Sequence, residues 1–213
     1  MRSARPSACS SLVDKLAYAF NLLGQNACLA PQAVFIEDDG PGVRPFAAAL
    51  DRALSRQLVA LPPRTLMAAD IAALRSAREA LVVRQALGEW VSVLSPVDRL
   101  VPTVAIEPMD MLTPSPLDRF VRIAPAPDGE AILAALRPVA RYLQCIALAT
   151  GPGDDGPGFE RQLARLGASR ICPRASWASR RCAGPTTASR ASAAWSAGAT
   201  WRPAPRNGRS RAE

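Results

Sequence analysis

Leu22-Leu23-Gly24-Gln25-Asn26-Ala27-Cys28-Leu29-Ala30-Pro31-Gln32-Ala33-Val34-Phe35-Ile36-Glu37 decides how this chain is read. Upstream of it, Leu12, Leu16, Ala19, Phe20 and Leu23 recur on one face of a helix. Downstream, Ala33-Val34-Phe35-Ile36 is short, apolar and partly β-branched, the pattern of a strand buried on both faces. Gly24 supplies the turn that closes the helix, so Cys28 falls on the junction between two rigid elements. A thiol held there can reach into a cleft, as a covalent catalyst requires. The same position also suits a small apolar packing residue, and spacing alone does not separate the two.

Working outward, helices and strands alternate. Asp38-Asp39-Gly40-Pro41-Gly42 is turn chemistry, and Phe46, Leu50, Leu54 and Leu58 then mark an amphipathic helix that ends near Pro62-Pro63. A longer helix spans about Met67 to Leu87, with Ile71, Leu74, Ala77 and Leu81 inward. Strands are predicted at Trp90–Leu94, Val101–Ile106, Phe120–Ile123, Gln144–Ala149 and from Ser169, with helices at Glu130–Leu136 and Phe159–Leu166. This alternation predicts an α/β sheet covered on both faces.

Composition narrows the function classes. The 213 residues are 49% hydrophobic, enough for one sizeable core. No apolar run reaches the length of a membrane span, and Asp14 and Lys15 interrupt any signal-peptide core, so a soluble, cytoplasmic protein is expected. Cys9, Cys28, Cys145, Cys172 and Cys182 are irregularly spaced and the chain has no histidine, which removes the usual zinc ligands and any imidazole-activated nucleophile. The net charge is +8, but residues 174–213 hold eight arginines and one acid, leaving 18 basic and 17 acidic side chains elsewhere. The body is therefore almost neutral.

Three further features carry weaker signals. Gly151-Pro152-Gly153-Asp154-Asp155-Gly156 has the spacing of a phosphate-cradling loop, yet Pro152 lacks an N–H and the two aspartates repel phosphate, so it reads as a turn. Glu37, Asp38 and Asp39 could form a base or metal site, but they fall where solvated acids are common. After Pro173 the chain contains no Leu, Ile, Val or Met, yet it carries three of the four tryptophans. Such a segment is expected to be disordered. As a competing reading, it makes the protein a small α/β binding module whose arginine-rich tail contacts nucleic acid without a specific sequence.

Gly24-Gln25-Asn26-Ala27-Cys28, followed by Leu29-Ala30-Pro31-Gln32 and an apolar strand, resembles the nucleophile segment of the aldehyde dehydrogenase superfamily. It resembles most closely the fatty acyl-CoA reductase branch, the reductase component of bacterial luciferase systems. Leu61-Pro62-Pro63-Arg64, Thr113 to Val121, Tyr142-Leu143-Gln144-Cys145-Ile146 and Leu166 to Pro173 support the resemblance in one colinear order. It implies an aldehyde dehydrogenase-like catalytic domain over 12–173, incomplete because the dinucleotide-binding part of such enzymes lies mostly before the cysteine. Residues 1–11 read as a poorly ordered leader foreign to the family. Cys28 becomes the nucleophile that takes an acyl group from a fatty acyl-CoA or acyl-protein thioester. NADPH is the implied cofactor, delivering hydride to release a fatty aldehyde. By geometry, the Cys28 backbone N–H and the Asn26 side chain are candidate oxyanion donors. The cofactor-binding residues and the oligomeric state remain unassigned, and this chain alone is expected to lack reductase activity.

Two departures mark the pattern. Ser115-Pro116-Leu117-Asp118-Arg119-Phe120 stands roughly where many aldehyde dehydrogenases carry Glu-x-Phe-Gly-Pro, so no ribose ligand is carried over. The family's later Trp-Pro-His-Asp-Gly and Leu-Val-Arg-Trp motifs are missing. Yet codons for Ala183-Gly184-Pro185-Thr186-Thr187-Ala188, displaced by one base, can read Trp-Pro-His-Asp-Gly. The same displacement lets Ala193 to Trp201 read Gly-Leu-Val-Arg-Trp-Ser-Asp-Val. Residues 174–213 are accordingly expected to be out-of-frame translation.

Overall fold

The computed structural model describes residues 6–38, 42–96, 99–108, 112–150, 156–173 and 195–201. In chain order the elements are α1 (Pro6–Asn21), the 3-10 turn Leu22–Gln25, β1 (Ala33–Glu37), α2 (Val43–Gln57), α3 (Ala68–Ala86), β2 (Ser92–Val93) and β3 (Thr103–Ile106). There follow β4 (Phe120–Ala126), α4 (Gly129–Leu136), the 3-10 segment Arg137–Tyr142, β5 (Leu143–Leu148), α5 (Gly156–Leu166), β6 (Arg170–Pro173) and β7 (Trp195–Trp201). The seven strands form one sheet in the order β2-β3-β4-β1-β7-β5-β6, and only the β2–β3 pair is antiparallel. This is the expected α/β class.

Strand periodicity explains the layers. On β1, Val34 and Ile36 face α1 and α2, packing with Phe20, Leu50 and Leu54 in one core. Ala33 and Phe35 alternate to the opposite face, where Ile132 and Leu136 of α4 and Leu163 of α5 cover them. The strand is buried on both faces, which is why its sequence is continuously apolar. A third cluster seats α3 on the sheet through Leu74 and Leu81 against Ala105 and Phe120. Of the inward set expected on α3, Leu74 and Leu81 are buried, whereas Ile71 and Ala77 are half-buried.

Two segments depart from expectation. α1 starts at Pro6, so part of the anticipated leader is helical; proline suits a first helical position, where its missing N–H has no partner to lose. Within the tail expected to be disordered, Trp195–Trp201 forms β7, parallel to both β1 and β5. A strand needs backbone donors and acceptors more than aliphatic side chains, and the slot between β1 and β5 presents both. The rest of 174–213 lies outside the described residues, as does most of the Gly151–Gly156 loop; Gly156 opens α5.

Candidate functional site

The nucleophile candidate stands on the turn between the 3-10 segment and β1, and its thiol is exposed. Cys145 and Cys172, by contrast, are buried, with their sulfurs 4.0 Å apart. The turn around Cys28 is built by short-range bonds. Ala30 N donates to Ala27 O at 2.9 Å, so Cys28 occupies the second position of a hydrogen-bonded turn. Gln25, itself buried, donates from Nε2 to Pro31 O at 2.7 Å and to Phe120 O at 3.4 Å. One side chain thereby straps the two ends of the turn together and to the start of β4.

Two unusual backbone stretches meet beside it. Leu23, Gly24 and Gln25 have φ of 50°, 59° and 67°, and Leu117, Asp118 and Arg119 have φ of 70°, 49° and 67°. Runs of left-handed residues cost energy and persist only where surrounding contacts over-determine them, a situation common at functional sites. Contacts of that kind are present. Asn26 Nδ2 donates to Gly24 O at 2.9 Å and to Asp118 Oδ1 at 3.4 Å. Arg64 grips the same carboxylate with two bonds, Nε to Oδ1 at 2.8 Å and Nη2 to Oδ2 at 2.7 Å. Arg64 Nη2 also lies 2.9 Å from Asp70 Oδ2, and Asp70 accepts the Met67 N–H at 2.9 Å to cap α3.

These links set the ionisation of the group. The Arg64 guanidinium is held above its ordinary value, chiefly by its hydrogen bond to Asp118. Asp70 is held below the usual carboxylate value, first by the Met67 N–H and then by Arg64. Arg119 is pushed down by burial, and the charge of Asp118 only partly offsets this. Its Nη2 donates to Asn21 O, Leu61 O and Pro62 O, joining the end of α1 to the loop after α2. A shallow surface hollow lies over the group, lined by Gly24, Pro63, Arg64, Leu66, Asp118 and Arg119 among others.

All of this sits at one edge of the sheet. The Cys28 turn leads into β1 and the left-handed stretch into β4, and these strands are parallel neighbours. Both segments therefore approach from the amino-terminal edge, opposite the carboxyl edge where open α/β sheets usually bind ligands. The structure thus brings Cys28 and Asn26 together and adds Gln25, Arg64 and Asp118. Asn26 is placed differently from a ready oxyanion donor: both amide hydrogens are directed at Gly24 and Asp118. Serving an oxyanion would require giving up the longer bond, to Asp118.

The segment that corresponds to a nicotinamide-ribose motif does not fit a ribose. Ser115 is buried, donating to Phe120 O at 2.7 Å and accepting from Leu117 N at 3.0 Å. Asp118 is engaged on both oxygens by Arg64. Elsewhere, Asp38 Oδ1 accepts the Gly42 N–H at 3.1 Å as part of the turn after β1, and Asp39 lies outside the described residues. Among the described residues no group of three potential metal ligands gathers, and no helix is long and apolar enough to cross a membrane.

Sequence reasoning picked out Cys28 and Asn26 but missed Gln25, Arg64 and Asp118 as a unit. Arg64 and Asp118 are 54 residues apart, and no local spacing encodes their pairing. Pro114 and Pro116 mark a turn just before β4, but no local pattern specifies the left-handed run Leu117–Arg119 that follows them.

A comparison with curated proteins finds no match to the chain. A family model does match, from residue 3 to residue 181, wider at both ends than the expected 12–173 domain and including most of the anticipated leader. The model is that of the LuxC acyl-CoA reductases, and the chain belongs to that family.

Proposed function

We propose that this chain accepts an acyl group from a fatty acyl thioester on the sulfur of Cys28. The observation that carries the reading is the exposed thiol on a turn braced at both ends by Gln25. The Cys28 thiolate attacks the thioester carbonyl carbon, a new C–S bond forms, and the C–S bond to coenzyme A breaks. The coenzyme thiolate leaves and takes up the proton that Cys28 surrendered. One thioester replaces another, so the exchange is nearly balanced in energy, and positioning of the thiol carries most of the demand on the protein. The Cys28 backbone N–H is the oxyanion donor of this reading, with Asn26 available only on release from Asp118.

Reduction of the acyl-enzyme to a fatty aldehyde takes two electrons, which NADPH supplies in the activity the family resemblance implies. Ser115 and Asp118, in the segment that corresponds to the ribose motif, are already engaged by Phe120, Leu117 and Arg64, so the reading ends at the acyl-enzyme. The 213-residue chain is expected to acylate without releasing aldehyde. Incubation with a long-chain acyl-CoA and intact mass measurement tests this. One acyl adduct on the wild-type protein and none on Cys28→Ala is the expected result; equal labelling of both proteins rejects it.

A further inference from the structure

The bonds around Asp118 form a continuous path from the start of α3 to the nucleophile turn. Met67 N–H and Arg64 meet on Asp70; Arg64 binds Asp118 through two parallel bonds; Asp118 accepts from Asn26, two residues before Cys28. A planar guanidinium gripping a carboxylate at two points fixes orientation as well as distance. Asp118 is only 4% exposed, so the carboxylate has little freedom to turn away. Gly24 packs directly on it: a Cβ there would stand 3.3 Å from Asp118 Oδ1. None of these groups offers chemistry to a thioester, because each is already occupied by the next.

We propose that Arg64 and Asp118 are positioning residues for the acyl transfer at Cys28, holding the Asn26–Ala30 turn against the sheet edge so that the thiol presents to the carbonyl at one angle. This inference rests on the reading of Cys28 as acyl acceptor. A nucleophile on an unbraced turn still meets small, indiscriminate electrophiles. It loses the aligned approach that a bulky thioester requires, and misplacement of this kind costs on the order of 100-fold in rate.

Asp118→Ala, Arg64→Ala and Arg64→Lys in the full chain test it through three readouts: the saturating acylation rate with a long-chain acyl-CoA, the alkylation rate of Cys28 by iodoacetamide, and backbone amide exchange across residues 24–30. The two alanine variants are expected to lose on the order of 100-fold in saturating acylation rate, with alkylation nearly unchanged and exchange across the turn accelerated. Arg64→Lys keeps one charged contact and restores part of the rate. The proposal fails if acylation is unaffected in folded variants. It also fails if acylation and alkylation fall together, or if exchange across the turn does not change. A wild-type chain that never acylates overturns the Cys28 reading instead, and amide exchange still decides whether Arg64 and Asp118 hold the turn.

Discussion

Gln25 donates to the carbonyl of Pro31 at 2.7 Å across the turn that displays Cys28. The donor is buried and its own φ is 67°, so the backbone accepts an unfavourable conformation to deliver that amide. Replacing Gln25 with leucine preserves bulk but leaves the Pro31 and Phe120 carbonyls without this donor. The expected loss is about 1–3 kcal/mol of stability. Urea denaturation checks it; a variant as stable as the wild type would show that the strap is dispensable.

Gly24→Ala probes the same turn from the other side. Gly24 has φ of 59°, where a side chain is strained, and the added methyl meets Asp118 Oδ1 at 3.3 Å. The strain alone costs about 1–2 kcal/mol. The carboxylate cannot retreat easily, because Arg64 holds both its oxygens. Thermal unfolding of Gly24→Ala should therefore occur below that of the wild type, and Asp118→Ala should relieve part of the loss when combined with it.

The sheet and its covering helices were legible because each buried element repeats its own period. β1 is apolar throughout since both its faces are covered, and Leu74 and Leu81 mark the inner line of α3. Cys28 was legible as a thiol on a helix-to-strand junction. Arg64 and Asp118 were not, because a pair 54 residues apart leaves no trace in local spacing. β7 was also hidden: its partners are β1 and β5, far upstream, and its own residues carry no aliphatic periodicity.

A buried charge on β4 offers a sharper energetic test. Arg122 lies between Phe120 and Ala124 on a strand covered on both faces, and it pairs with Glu107, which also binds Arg84 at 2.6 Å. Glu107 is 3% exposed. Removing the carboxylate in Glu107→Leu strands the Arg122 guanidinium in the interior, a loss of about 3–5 kcal/mol. The double variant Glu107→Leu/Arg122→Met removes both charges and should recover most of that. A double-mutant cycle in urea measures the coupling; additive losses contradict the pairing.

Acid should loosen α3 through Asp70. Its folded pKa is lowered, so it binds a proton less readily in the native state than in the unfolded chain. The stabilisation is complete above the ordinary aspartate value and is lost as pH falls through the lower folded value. Between pH 5 and 8 nothing should change from this group. Unfolding measured from pH 5 downward should show a steeper acid loss in the wild type than in Asp70→Asn, which cannot titrate. Parallel profiles would remove Asp70 from the account.

The strand at Trp195–Trp201 connects the tail to the frame question. β7 fills the place between β1 and β5, where both neighbouring strands are buried on their two faces. A strand in that place is expected to be rich in Val, Ile and Leu, yet the tail has none of them. The same bases, displaced by one position, can encode Gly-Leu-Val-Arg-Trp-Ser-Asp-Val across Ala193 to Trp201. Each large aliphatic side chain gained there adds about 1.5–3 kcal/mol when fully buried. A chain expressed with the frame displaced by one base after the Arg181 codon, where the family match ends, should therefore unfold at a higher temperature than the 213-residue chain. The gene itself gives the first check: if no one-base displacement beyond that codon yields both the Trp-Pro-His-Asp-Gly and the Leu-Val-Arg-Trp motifs, the out-of-frame reading is wrong. A restored chain that melts at the same temperature or lower would show that β7 as it stands already satisfies the slot.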